Sequence, residues 1–143
     1  MSGYPVDVMR QLMEHEIPFN RHLGLKARTL GVDLVELVLP FRAEHVGDPV
    51  RQALHGGTIS MLIDTAGGAA AFMNINDGER VSTVDLVVDY LRPGPCVDIV
   101  AKARVVRKGN RVITSNVDVV RVDDESVVIA QGRGVYNIHR PEK

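Results

Sequence analysis

One long helix set against four long strands decides most of what this chain can fold into. Residues 57–73 are rich in Ala, Ile, Leu and Met and hold no proline, which predicts a long, largely buried helix. After Asn76-Asp77-Gly78 the chain turns to valine-rich runs at 81–91, 97–106, 111–121 and 126–138. Arg92-Pro93-Gly94-Pro95, Lys108-Gly109-Asn110 and Asp123-Asp124-Glu125 separate them. Connections this short favour antiparallel pairing, because parallel neighbours need a longer crossover. Upstream, 6–16 predicts a short amphipathic helix with Val8, Leu12 and Met13 as its apolar stripe, stopped by Pro18. Strands are predicted at 23–30 and 32–40; the second alternates Val35, Leu37 and Leu39 against Leu34, Glu36 and Val38. The polar stretch 42–52, with Gly47-Asp48-Pro49, reads as a loop. The order is α+β, with about six strands gathered into one antiparallel sheet. One helix is too small to cover a face of such a sheet, so the chain is expected to oligomerise.

At 143 residues, without repeat, low-complexity stretch or linker, the chain is expected to form one domain over 1–143. A net charge of -1 gives no reason to expect nucleic acid or an anionic membrane as partner. The single cysteine, Cys96, allows no intrachain disulfide and favours a reducing compartment; it reads as structural. Asp7, Arg10, Glu14 and Glu16 occupy the first turns, where a signal core would be apolar. No apolar run approaches the ~20 residues of a membrane span. A cytoplasmic location is the expectation. His15, His22, His45, His55 and His139 lack metal-ligand spacing; His15-Glu16 begins like a zincin motif, but Phe19 stands where the second histidine would. No metal or cofactor is expected.

The segment with chemistry in it is 54–68, Leu-His-Gly-Gly-Thr-Ile-Ser-Met-Leu-Ile-Asp-Thr-Ala-Gly-Gly. Two glycines at a helix start let another molecule approach its free N–H groups, which suit an anion or a carbonyl oxygen becoming one. The same glycines would also serve a tight turn with no ligand. Asp64 lies mid-helix among Ile59, Leu62, Ile63 and Ala66, where a carboxylate is costly unless paired or used. It is either a working group or a structural acid. Helical spacing puts Gly57, Ser60, Met61, Gly67, Gly68 and Ala71 on its face. Mostly small, that face admits a close backbone or leaves a slot for substrate. Met61, Phe72, Met73 and Tyr90 are candidates for an apolar pocket, or for core. Arg107, Lys108 and Arg111, with Arg104, surround a predicted turn; they would meet the phosphates of a small molecule or form a solvated tip. Asp85 and Asp89 read as structural or interfacial.

His-Gly-Gly with an acid nine residues after the histidine resembles the hotdog thioesterases of the phenylacetate-degradation and hydroxybenzoyl-CoA type. The run 83–93, Thr-Val-Asp-Leu-Val-Val-Asp-Tyr-Leu-Arg-Pro, looks like that family's first strand after the helix, and Ala130-Gln131-Gly132-Arg133-Gly134 like its last. The resemblance covers about 20–139. It implies a long central helix wrapped by the sheet, dimers or dimers of dimers with the sheet continuous across two subunits, and cleavage of acyl-CoA without a cofactor. It implies Asp64 as nucleophile or general base, Gly56 as oxyanion donor with Gly57 beside it, His55 as the family's histidine, and Thr83 as a hydroxyl that helps position water. It further implies an acyl and CoA site for which Gly57, Met61, Gly68, Tyr90, Arg107, Lys108 and Arg111 are the candidates here. The chain departs from the family at Pro49, where many relatives have Asn or Gln, leaving Asp48 or Gln52 as substitutes, and at Gly68, where some have Ser or Thr. Eight residues along an ideal helix rise ~12 Å, so one helix could hardly aim both Gly56 and Asp64 at one carbonyl; two helices across a dimer could. The alternatives are a non-catalytic acyl-CoA-binding module and an enoyl-CoA hydratase.

Overall fold

The computed structural model describes residues 3–143. Helix α1 (Val6–Gln11) passes into a π-helical turn (Leu12–Glu16), and α2 (Pro18–Leu23) follows. Pro18 ends one helix and begins another, since its fixed φ and missing N–H suit a first helical position. Gly24, left-handed at φ 69°, closes α2. The buried stripe is Met9 and Met13 rather than Val8, which is half exposed. Two flanking side chains set this rotation by clamping the edge of the sheet: Arg10 donates to the Ala27 carbonyl, and Glu14 accepts the Ala27 N–H at 2.9 Å.

Strands β1 (Lys26–Leu30) and β2 (Val35–Leu39) precede a small hairpin of β3 (Val46–Asp48), inside the stretch expected to be loop, and β4 (Ala53–Leu54), just beyond it. Helix α3 (Gly56–Phe72) then leads to β5 (Arg80–Tyr90), β6 (Ile99–Lys108), β7 (Val112–Arg121) and β8 (Val128–His139). Six strands form one antiparallel sheet in the order β1-β2-β6-β7-β8-β5. Short connections do not pair β5 with β6: β5 lies at an edge, against β8. Residues 91–98 carry Pro93 and Pro95, which cannot donate to a ladder, and they run across the end of the sheet. There Leu54 N–H donates to the Gly94 carbonyl at 2.9 Å. Eight extended residues easily cover the ~15 Å of three strand spacings.

Helix α3 lies across the sheet. Ile59, Leu62, Ile63 and Ala66 are buried with Val35, Leu37 and Leu39 of β2, Ala101 and Ala103 of β6, and Val117 and Val119 of β7. The opposite face carries Lys102, Asn116, Asp118, Gln131 and Arg133. The sheet is therefore one-sided, with its apolar face closed by α3 and the N-terminal helices, and among the described residues no broad apolar face stays wet. Exposed apolar side chains are scattered, but four of them lie close together along β5 and just beyond it: Val84 is 63% exposed, with Val87, Tyr90 and Leu91 beside it.

One irregularity in β5 positions the site. The β5–β8 register slips between Thr83, opposite Tyr136, and Asp85, opposite Val135, so Val84 is a bulge. Alternation changes phase there. Thr83 and Tyr90 would fall on opposite faces of an unbroken strand; across the bulge both face α3.

Candidate active site

The start of α3 satisfies all but one of its first donors. His55 is the N-cap, and its Nδ1 accepts the Gly57 N–H at 2.8 Å while its carbonyl accepts the Thr58 N–H at 3.0 Å. An accepting Nδ1 fixes the neutral ring with its proton on Nε2. The Gly56 N–H has no acceptor among the described residues. Gly57 is required by proximity, since a Cβ there would lie 2.9 Å from His55 Nδ1. Behind the histidine, the turn leading into β3 packs closely: His55 N–H donates to the His45 carbonyl at 2.7 Å. Tyr90, brought inward by the bulge, donates its hydroxyl to the Gly56 carbonyl at 2.9 Å.

Two turns along α3, Asp64 is half buried and its Oδ1 accepts the Thr83 hydroxyl at 2.8 Å. Its Oδ2 has no partner among the described residues. The Asp64 carbonyl accepts the Tyr136 hydroxyl at 3.0 Å. Burial, then the nearby Asp64 charge, push the Tyr136 phenol far above its ordinary value, so it remains a donor throughout the working range. The slot left by small residues is thus partly filled, because the Tyr136 ring lies over Gly67. Beside it a cavity of about 300 Å³ opens, with Asp64 and Thr83 on its wall and Ile17, Phe19, Phe72 and Val81 as its apolar lining. Gly56 and Tyr90 line a different cleft, with Ile59 and Pro93. Within one chain the oxyanion candidate and the carboxylate do not share a cavity.

Residues 52–128 match the Thioesterase superfamily, more than half of the chain. The chain belongs to the thioesterase superfamily. Relatives agree along the whole length. The medium/long-chain acyl-CoA thioesterase YigI of Escherichia coli is 28% identical over 141 residues, 90% of each chain. A Halobacterium salinarum protein named as an esterase is 30% identical over 152 aligned positions, 99% of this chain and 100% of that one. A crystal structure of a Shewanella oneidensis protein related to the superfamily superposes with a TM-score of 0.82 at 27% identity, covering 94% of this chain and 95% of that one. The long helix against a six-stranded antiparallel sheet is the hotdog fold of these thioesterases.

Of the residues singled out in the sequence, the thioesterase fold brings Asp64 to Thr83, and Gly56 to His55, Gly57 and Tyr90. Gly68 lines the Asp64 cavity. Met61 does not: it packs against the core and accepts the Thr65 hydroxyl at 3.6 Å. Met73 is also core. Lys108 donates to the Asn74 carbonyl at 2.6 Å, just past the carboxyl end of α3 and away from Gly56. Arg107 and Arg111 flank the same β6–β7 turn. Both substitutes for the missing Asn or Gln make local bonds. Asp48 accepts the N–H groups of Val50 and Arg51 at 3.0 Å, and Gln52 donates to the Pro49 carbonyl at 2.7 Å. Cys96 donates to the Gln52 carbonyl at 3.1 Å, in keeping with a structural role. Sequence reasoning missed Tyr136, whose only hint is the facing pair Gly67 and Gly134, and Phe19, hidden in a helix that Pro18 had seemed to forbid.

Proposed function

We propose that the chain hydrolyses acyl-CoA thioesters, with Asp64 as nucleophile or general base and the Gly56 N–H as oxyanion donor. The observation that carries this is a carboxylate on the wall of an apolar cavity, oriented through Oδ1 by Thr83 and free at Oδ2. An acyl chain would lie against Ile17, Phe19 and Phe72, and the medium/long-chain activity in the YigI name supports an aliphatic substrate.

Two routes fit. In one, Oδ2 attacks the thioester carbon; the C–S bond breaks, CoA leaves as a thiolate that takes up a proton, and water hydrolyses the Asp64 anhydride. In the other, Asp64 takes a proton from a water that attacks the carbon directly. Either route passes through an oxyanion, and a backbone donor aimed at it contributes ~3 kcal/mol.

Since one chain keeps Gly56 and Asp64 in separate clefts, the working unit is a homodimer in which each site takes Gly56 from one copy and Asp64 from the other. The β5 edge is the surface for this. It is 11 residues long, unpaired on its outer side and apolar at Val84, Val87 and Tyr90. Pairing β5 with β5 continues the sheet across both copies. Among the described residues no helix is long and apolar enough to cross a membrane. A reducing, cytoplasmic setting suits a chain with a single cysteine.

A panel of straight-chain acyl-CoAs, with CoA release followed by a thiol reagent, tests the activity. Turnover that favours chains over acetyl-CoA is expected. Tight binding without release across the panel would make the protein a binding module instead.

A further inference from the structure

His45 is buried, 6% exposed, and its Nδ1 has no hydrogen-bond partner among the described residues. A buried ring nitrogen without a partner loses its hydration and gains nothing in return, so its position calls for an explanation. It ends a 3₁₀ turn (Ala43–His45) and leads directly into β3. The His45 carbonyl accepts the His55 N–H at 2.7 Å, and Val46 pairs with Leu54. Two residues on, Gly47 packs so tightly that a Cβ would lie 2.5 Å from the His55 Cα. Residues 45–47 are therefore the seat of His55, which caps α3 and precedes Gly56.

The charged groups around the ring are Arg42 and His22, which oppose a proton there, and Glu44, which favours one. Burial is the largest influence, and with Arg42 and His22 it holds the imidazole below its ordinary value. A second ring proton would be a buried donor with no acceptor and a charge beside the Arg42 guanidinium.

We propose that His45 is a positioning residue that makes the Gly56 amide depend on pH: neutral, its ring packs under the 46–54 hairpin and seats His55; protonated, it turns toward water and draws the His55–Gly56 backbone with it. The inference rests on Gly56 as the oxyanion donor. It gives the enzyme an acid cut-off separate from protonation of Asp64. The sign is fixed by the direction of the shift. The folded state binds the His45 proton less well than the unfolded chain, so this contribution to stability is complete above ~6.5 and falls as the pH drops toward the folded-state value.

The test follows the His45 ring and the Gly56 amide by NMR across an acid titration of the full-length protein, with kcat and KM measured over the same range. In the wild type the Gly56 resonance should move with the His45 midpoint, and kcat should fall about tenfold per pH unit below it while KM changes little. In His45→Gln the Gly56 step should vanish, and the acid limb of kcat should retreat to lower pH. His45→Phe, which keeps the ring without the titration, serves if the glutamine variant does not fold. A Gly56 amide that stays still while His45 protonates, or an unchanged acid limb in the variants, overturns the proposal. If the wild type releases no CoA from any acyl-CoA, the thioesterase reading fails, and the linkage between the His45 and Gly56 resonances still decides this one.

Discussion

Gly67 sits in the middle of α3, where exchanging glycine for alanine in an open helix would stabilise the protein by ~1 kcal/mol. Here the sign should reverse. A Cβ at Gly67 would overlap the Tyr136 hydroxyl and stand 3.2 Å from its ring carbon Cζ. The ring cannot retreat. It is 1% exposed and rests on Gly134, whose own Cβ position lies 2.5 Å from the same Cζ. Overpacking of this kind costs ~1–3 kcal/mol. Displacing the ring also breaks its bond to the Asp64 carbonyl, another ~1 kcal/mol. Gly67→Ala should therefore be destabilised by ~2 kcal/mol net, a fall in Tm of roughly 5–10 °C for a chain of this size. Tyr136→Phe removes the overlapping oxygen but leaves Cζ, so the double variant should be less destabilised than the two single changes added, with a coupling of about 1 kcal/mol. Thermal unfolding at fixed protein concentration measures all four proteins. A raised Tm in Gly67→Ala, or strict additivity with Tyr136→Phe, would refute the packing argument.

Two further outcomes follow from the sheet. Arg28, then Thr29, hold the buried Glu36 carboxyl below its usual range against the opposing effect of burial, so its contribution is present above ~4.5 and lost as the pH falls through the folded-state value. Glu36→Gln should lower Tm at neutral pH and flatten its fall on the acid side; parallel curves for variant and wild type in a pH series of melts would exclude this. Val84→Lys puts a charge on the bulge at the exposed β5 edge, and it should yield an inactive monomer near 15.7 kDa by light scattering. A dimer that persists with full turnover would show that the edge is not the interface.

How far the sequence carries depends on whether a feature is local. The apolar, proline-free stretch predicts α3 at 57–73, and it forms at Gly56–Phe72. The valine runs place all four long strands, because period and turn chemistry are properties of neighbouring residues. The partner of β5 and the Val84 bulge depend on β8, some fifty residues away, and no spacing within 80–90 reveals them. Thr83 shows the consequence. Resemblance alone suggested it, and only the bulge turns it toward Asp64. Tyr136 stands 72 residues from Asp64 and gave no local signal. Met61 and Lys108 lie away from the Asp64 cavity for the converse reason. Helical spacing and a basic turn are local patterns, but what each side chain meets is decided by the core and by the end of α3. Polar side chains on the outer sheet face likewise leave an edge, not a face, as the surface for association.

The central claim is that Asp64 performs the chemistry. Asp64→Asn keeps the side-chain volume and an oxygen able to accept the Thr83 hydroxyl, but it removes the negative charge and the basicity. Single-turnover hydrolysis of a medium-chain acyl-CoA, with Tm measured on the same preparation, tests it most directly. The expected result is a rate at least ~10²-fold lower, with Tm held or raised because a neutral amide costs less to bury than a carboxylate. A folded Asp64→Asn protein that turns over at the wild-type rate, or one whose Tm falls while its rate is kept, would make Asp64 a structural acid and remove the mechanism.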